Sequence, residues 1–192
     1  MSVIIFIKNP ALGKVKTRLA ATIGDEAALA VYHKLSRRAR EVALALDVPR
    51  HLFYSDFIDG HDAWDNTLFI KKQQAGEDLG ERMHLAFVDT LQTSQKAVII
   101  GSDCPLLTPE IVQLALDQLD QYPFVLGPAL DGGYYLLGMR KPTPGLFENM
   151  EWSTENVAKI TLERMAESGA SCYLLPALPD IDVEEDWRKY GW

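Results

Sequence analysis

Ala97-Val98-Ile99-Ile100 is a continuous apolar run that stops at Gly101-Ser102-Asp103-Cys104-Pro105. A strand with one wet face alternates apolar and polar residues, whereas an unbroken run suits a strand covered on both faces. Such strands sit inside parallel sheets flanked by helices, so this stretch predicts a three-layer α/β chain with a mostly parallel central sheet. Ligands of open α/β sheets bind beyond the carboxyl ends of strands, which is where Asp103 falls. Asp103 either caps a local turn or belongs to a site, and its company has to decide.

The remaining pattern agrees with that architecture. Val3 to Ile7 reads as a first strand, Asp25 to Leu46 as a long helix, and His51 to Tyr54 as a second strand. In the helix Ala28, Val31, Tyr32, Leu35, Ala39, Val42 and Leu46 recur at helical spacing, and Arg37, Arg38 and Arg40 form its solvated side. Asp56 to Asn66 is a polar loop, Leu68 to Ile70 a short strand, and Leu79 to Leu91 the apolar face of another helix. Arg82 at its first turn either meets a ligand or pairs with Asp78. Thr108-Pro109 opens a helix with an N-cap and a proline at the first position. Phe124 to Gly127 and Cys172 to Leu175 are strands, and Ser153 or Thr154 caps a helix from Glu155 to Glu167. The 192 residues are read as one domain, 1–192.

Three stretches carry chemistry. Lys8, Lys14, Lys16 and Arg18 crowd a loop marked by Asn9-Pro10 and Gly13, directly after the first strand. Cations and free backbone N–H groups at that point suit the phosphates of a nucleotide, although neither a Walker A loop nor Gly-x-Gly-x-x-Gly is present. Asp131-Gly132-Gly133-Tyr134 pairs an acid with two glycines before an aromatic strand. That pattern fits either close backbone approach to a ligand or a tight hairpin. Asp180-Ile181-Asp182 opens an acidic tail; alternate residues of extended chain share a face, so both carboxylates can address one cation, or the tail is a solvated helix.

Composition excludes other classes. The formal net charge of −8 argues against non-specific nucleic-acid binding, which needs a basic surface. No apolar run reaches the ~20 residues of a membrane span. Met1 to Ile7 lacks the basic start and cleavage site of a signal peptide. The two cysteines, Cys104 and Cys172, form no metal or disulfide pattern, and a reducing cytoplasmic location is expected. Cys104 is either a nucleophile or a small apolar residue beside Asp103. Oligomeric state has no signal here.

Taken together, Lys8-Asn9-Pro10 through Lys14, Lys16-Thr17-Arg18-Leu19, Gly101-Ser102-Asp103-Cys104-Pro105, Asp131-Gly132-Gly133-Tyr134-Tyr135-Leu136, Trp152-Ser153-Thr154 and Asp180-Ile181-Asp182-x-x-x-Asp186 span essentially the whole chain. This set resembles the nucleotide-diphospho-sugar transferase (GT-A) fold. It is most similar to small glycosyltransferase-like proteins described beside radical-SAM partners and linked to arsenosugar biosynthesis. It is distantly similar to phospholactate guanylyltransferases and molybdenum-cofactor nucleotidyltransferases. The resemblance implies a metal-dependent transferase that takes a nucleotide or nucleotide-sugar donor and a small-molecule acceptor. In that reading Lys8, Asn9, Gly13, Lys14, Lys16 and Arg18 bind the nucleotide. Asp103, Asp182 and Asp180 hold Mg²⁺ or Mn²⁺, an ion that prefers oxygen ligands. Asp103 and Asp131 are the catalytic carboxylates, and Gly132, Gly133, Tyr134, Ser153 and Thr154 meet the substrate. Two features depart from the pattern: the first loop lacks the Gly-x-Gly-x-Arg of sugar-nucleotide pyrophosphorylases, and the central strand ends in a single carboxylate where GT-A glycosyltransferases commonly show Asp-x-Asp. A second metal ligand must then come from Asp180 or Asp182. Nucleotidyl transfer from a nucleoside triphosphate, and a binding module without turnover, remain alternatives.

Overall fold

The computed structural model describes residues 1–192. Its strands are β1 (Ser2–Ile7), β2 (Arg50–Tyr54), β3 (Ile70–Gln73), β4 (Ala97–Ile100), β5 (Phe124–Pro128), β6 (Tyr134–Met139) and β7 (Cys172–Leu174). They form one sheet in the order β3-β2-β1-β4-β6-β5-β7. Every pairing is parallel except those of β6, which runs antiparallel to both β4 and β5. The helices are α1 (Thr17–Ile23), α2 (Asp25–Leu44), α3 (Leu79–Thr90), α4 (Pro109–Gln118), α5 (Val157–Glu167) and α6 (Glu184–Tyr190).

The expected α/β architecture is present, and β4 shows why. All four of its residues are buried; Val98 and Ile100 join one core while Ala97 and Ile99 join the other. Successive side chains of a strand point to opposite faces, so a run apolar at every position serves two cores at once. The second half of α2 and α4 cover one face through Ala39, Val42, Ala115 and Leu116; α3 and α5 cover the other through Met83, Phe87, Ala158 and Met165. A third, smaller core of Leu19, Ala28, Val31, Leu35 and Ile181 ties α1 and the start of α2 to the C-terminal segment.

Several boundaries differ from expectation. The basic loop ends earlier than read, because Thr17 starts α1 and Leu19 is needed in the third core. The long helix stops at Leu44. Leu68 and Phe69 are not strand; Phe69 packs edge-on against Trp64 at 4.9 Å and anchors the loop, while β3 begins at Ile70. α5 starts at Val157 after an Asn156 cap, so neither Ser153 nor Thr154 caps it. Ser153 instead adopts φ 64°, a left-handed conformation that costs a non-glycine residue energy.

This topology gathers one edge. β1 and β4 are neighbours whose chains leave in opposite directions along the sheet, β1 toward β2 and β4 away from it, which makes a switch point. Lys8 leaves β1 there, and Gly101 to Cys104 leave β4. Because β6 is antiparallel, its beginning lies at the end of β4: Ile100 is opposite Leu136, and Gly101 N donates to Tyr135 O at 3.4 Å. The β5–β6 hairpin turn at Asp131-Gly132-Gly133 therefore reaches the same edge, as the hairpin reading of that motif expects. β7 runs parallel to β5, and Leu178 bridges to Ala129 just beyond it. The acidic tail is thereby delivered to the edge as well.

Candidate active site at the switch point

A cavity of about 610 Å³ opens at this edge. Of the residues singled out from sequence, Lys8, Lys16, Arg18, Asp103, Asp131, Gly133, Tyr134, Ser153, Thr154, Asp180 and Asp182 line it. Asn9, Gly13, Lys14 and Gly132 do not, and three of these have clear structural tasks. Buried Asn9 holds the loop after β2: its Nδ2 donates to Phe57 O (2.9 Å), and its Oδ1 accepts from Asp56 N (3.0 Å). Gly13 supplies a left-handed turn at φ 70°. Gly132, at φ 91°, lies so close to the strap before α5 that a Cβ would stand 2.0 Å from Glu155 O.

Lys16 is the centre of the arrangement. It is the N-cap of α1 in a left-handed conformation, φ 50° and ψ 43°, which only over-determined surroundings sustain. Its side chain is 6% exposed, and its Nζ bonds both Asp103 Oδ1 (2.7 Å) and Ile181 O (2.6 Å). Ile181 N in turn donates to Asp103 O at 3.0 Å, so the β4 end, the α1 start and the C-terminal segment close one bracket. Arg18 pairs with Asp182 at 2.6 Å, with both side chains substantially exposed. Two of the four cations expected to meet phosphates thus each hold one of the carboxylates expected to meet a metal.

Asp180 differs from its neighbours. Its Oδ1 is buried and has no hydrogen-bond partner. Burial, then the charges of Asp103 and Asp131, push its carboxyl up to about 7 despite the opposing pull of Lys16. A buried carboxylate oxygen without a donor is stable only when protonated or facing a cation. No group of three or more His, Cys, Asp or Glu side chains is assembled as a metal site. The donor set of Asp103, Asp180 and Asp182 is nonetheless all oxygen, which suits Mg²⁺ or Mn²⁺.

Cys104 fits the reading of a small apolar residue beside Asp103. It is 6% exposed, and burial followed by the charge of Asp180 pushes its thiol up to about 12. Asp131 is exposed, with Oδ1 accepting from Gly133 N at 2.9 Å. Arg82 neither lines the cavity nor pairs with Asp78; its Nε donates to Gly76 O, while Asp78 caps α3 by accepting from Glu81 N. Several lining residues were missed: Tyr32, Gln74, Leu79, Met83 and Trp152. Tyr32 matched the core period of α2 and carried no further signal. It is buried, yet its hydroxyl donates to Lys8 O. Trp152 packs its ring over Gly80, where a Cβ would meet it at 2.6 Å.

A family model described as an uncharacterized protein conserved in bacteria (DUF2064) matches residues 38–154. The chain belongs to this family. The matched DUF2064 segment holds Asp103, the Asp131–Gly133 turn and Ser153-Thr154, while the basic loop and the acidic tail flank it. No functionally curated protein matches the sequence. Among solved structures, this DUF2064 chain is 33% identical to a Desulfovibrio desulfuricans G20 protein provisionally named a nucleotide-diphospho-sugar transferase. That similarity has a TM-score of 0.86 and covers 95% of this chain and 82% of that one. It also resembles the inositol-1-phosphate CTP transferase of T. maritima, at 14% identity and TM-score 0.62 over 96% and 90% of the two chains. A third similar structure is Rv0371c of Mycobacterium tuberculosis H37Rv in complex with manganese, at 12% identity and TM-score 0.58 over 98% and 97%. At these identities the latter two bear on the fold alone; that the fold matches a nucleotide-diphospho-sugar transferase-like structure rests on the D. desulfuricans relative.

Proposed function

We propose that this chain, acting as one domain over 1–192, is a metal-dependent transferase with a nucleotide donor. Its best version is a glycosyltransferase of the small GT-A type that moves a sugar from a nucleoside diphosphate to a small acceptor. The observation that carries the proposal is the set of two cations, Lys16 and Arg18, interleaved with Asp103, Asp180 and Asp182 in one cavity at the switch point. The provisional name of the D. desulfuricans relative supports the sugar-nucleotide donor.

Asp103 and Asp180, with Asp182, would hold Mg²⁺ or Mn²⁺; the manganese complex of the M. tuberculosis neighbour supports the choice of ion. When bound, such an ion neutralises negative charge that builds on the leaving phosphates. Lys16 and Arg18 serve the same phosphates. Each exchanges its carboxylate for a phosphate oxygen, a swap between two charge-assisted bonds of similar strength. In the glycosyl version an acceptor oxygen bonds to the anomeric carbon as the bond to the β-phosphate oxygen breaks. The nucleoside diphosphate leaves with that electron pair. The exposed Asp131 carboxylate, oriented by Gly133 N, takes the acceptor's proton. Gly133, Tyr134, Ser153 and Thr154 line the space beside it.

Nucleotidyl transfer is the second reading, favoured by the likeness to a CTP transferase. There an acceptor phosphate attacks the α-phosphorus of a nucleoside triphosphate, and pyrophosphate leaves. Product analysis separates the two: nucleoside diphosphate from sugar nucleotides, or pyrophosphate from triphosphates, each with and without Mn²⁺. A thermal-shift panel of the same compounds identifies the donor, since a ligand at a hundredfold its Kd adds about 2.7 kcal/mol. Binding without either product would make the chain a nucleotide-binding module and defeat the proposal.

A further inference from the structure

Of the three carboxylates proposed to hold a divalent ion, two already hold a cation of the chain itself. Asp103 Oδ1 lies 2.7 Å from Lys16 Nζ, and Asp182 Oδ2 lies 2.6 Å from Arg18 Nη1. Asp180 Oδ1 alone is left without a partner. The first pair is more than a surface contact. The Lys16 side chain is 6% exposed, its Nζ also donates to Ile181 O at 2.6 Å, and its backbone stands at φ 50°, ψ 43°. A non-glycine residue keeps that left-handed conformation only while its partners offset the strain, so losing the bonds also removes what holds the backbone there. An ammonium and a divalent ion on one carboxylate repel, and Lys16 is too buried for salt to screen that repulsion. Lys8 lines the same cavity and is in no ion pair, so an entering phosphate has a free cation to meet first.

We infer, on the nucleotide-donor reading above, that Lys16 and Arg18 form an autoinhibitory clamp. They keep divalent ions off Asp103 and Asp182 until a polyphosphate draws both cations away. Phosphate oxygens replace the carboxylates as partners of Lys16 and Arg18, and the freed carboxylates then face the ion. Ile181 O loses its charged donor in the same step, so the segment 180–182 is released from the start of α1. Polyphosphate and ion therefore bind as a pair, and an ion alone binds poorly. The clamp gives each cation two effects of opposite sign: it opposes the ion in the free chain and holds the phosphates in the loaded one.

The test titrates Mn²⁺ alone into wild type, Lys16→Met and Arg18→Ala, with bound ion read by electron paramagnetic resonance. Tripolyphosphate with saturating Mg²⁺ is titrated into the same chains by calorimetry. Lys16→Met should bind Mn²⁺ about ten- to a hundredfold more tightly than wild type, and Arg18→Ala, whose pair is exposed, about threefold. Both should bind tripolyphosphate about ten- to a hundredfold more weakly. A folding defect weakens both ligands together and does not produce the tighter one. A further measurement uses the unmodified chain: the Lys16 ammonium, followed by ¹⁵N NMR and assigned by its absence in Lys16→Arg. Its signal should be unmoved by Mg²⁺ alone and shift when tripolyphosphate is added. Mn²⁺ bound no more tightly by folded Lys16→Met and Arg18→Ala overturns the clamp. So does a wild-type ammonium that Mg²⁺ alone displaces, or one that bound tripolyphosphate leaves in place. Wild type that binds neither tripolyphosphate nor GTP, CTP, UTP or ATP with Mg²⁺ overturns the nucleotide reading itself, and the clamp with it.

Discussion

Replacing Ile181 with alanine separates a structural role from a functional one at a single residue. Ile181 is fully buried between two acids that line the cavity, in a core shared with Leu19, Ala28, Val31 and Leu35. Truncating a buried isoleucine to alanine costs about 2–5 kcal/mol, the spread reflecting how far the site can collapse. This core has five members and is bordered by partly exposed Ala20, Ile23, Trp187 and Tyr190, so it can relax. The expected loss is therefore in the lower half of that range, about 2–3 kcal/mol, or roughly 4–12 °C in Tm for a chain of this size. Urea unfolding should show a lower midpoint at unchanged slope. The backbone of residue 181 also accepts from Lys16 and donates to Asp103, so loosening it should weaken Mn²⁺-dependent nucleotide binding too. Leu35→Ala, in the same core but away from the acids, is the control. It should match the stability loss and largely spare binding. A stability change below about 0.5 kcal/mol would refute the packing argument. A full stability loss with unchanged metal-dependent affinity would refute the claim that this core places the acids.

Asp103→Asn keeps the side chain's shape and removes its charge; nucleotide affinity measured by calorimetry should lose its dependence on Mn²⁺ while the fold is retained. Arg18→Ala should change stability by no more than about 1 kcal/mol, because its pair with Asp182 is exposed. The same variant should weaken diphosphates by about ten- to a hundredfold and a free nucleoside hardly at all; equal losses would make Arg18 structural. Gly132→Ala forces a Cβ to 2.0 Å from Glu155 O at φ 91°, so the strap carrying Ser153 and Thr154 must move. A cost above about 3 kcal/mol is expected in urea, and a cost near zero would show that the strap yields freely.

Much of the architecture was legible in the sequence because it rests on period and run length, which are local properties. The apolar run of β4, the helical repeat of α2 and the Thr108-Pro109 start of α4 each carry their own physical cause. The same holds for placing Asp103 at a strand end, which needs only the strand and its stop. Boundaries were less legible where a tertiary contact outweighed local pattern, as when Phe69 turned from the sheet to pack on Trp64. Asn9, Gly13 and Gly132 carried the right residue types for a site, yet their hydrogen bonds and close approaches serve the loops behind it.

What the sequence by itself determined was the class of fold and the inventory of chemistry: cations after the first strand, an acid after the fourth, an Asp-Gly-Gly turn and a terminal Asp-x-Asp. Only the tertiary structure decided which of these meet. The antiparallel β6 carries Asp131 back to the end of β4, and β7 brings the tail to the same edge. Strand direction and order depend on contacts between residues far apart in the chain, and no local pattern encodes them. The partners of Lys16, residues 103 and 181, lie far along the chain from it, so their meeting is a consequence of that topology.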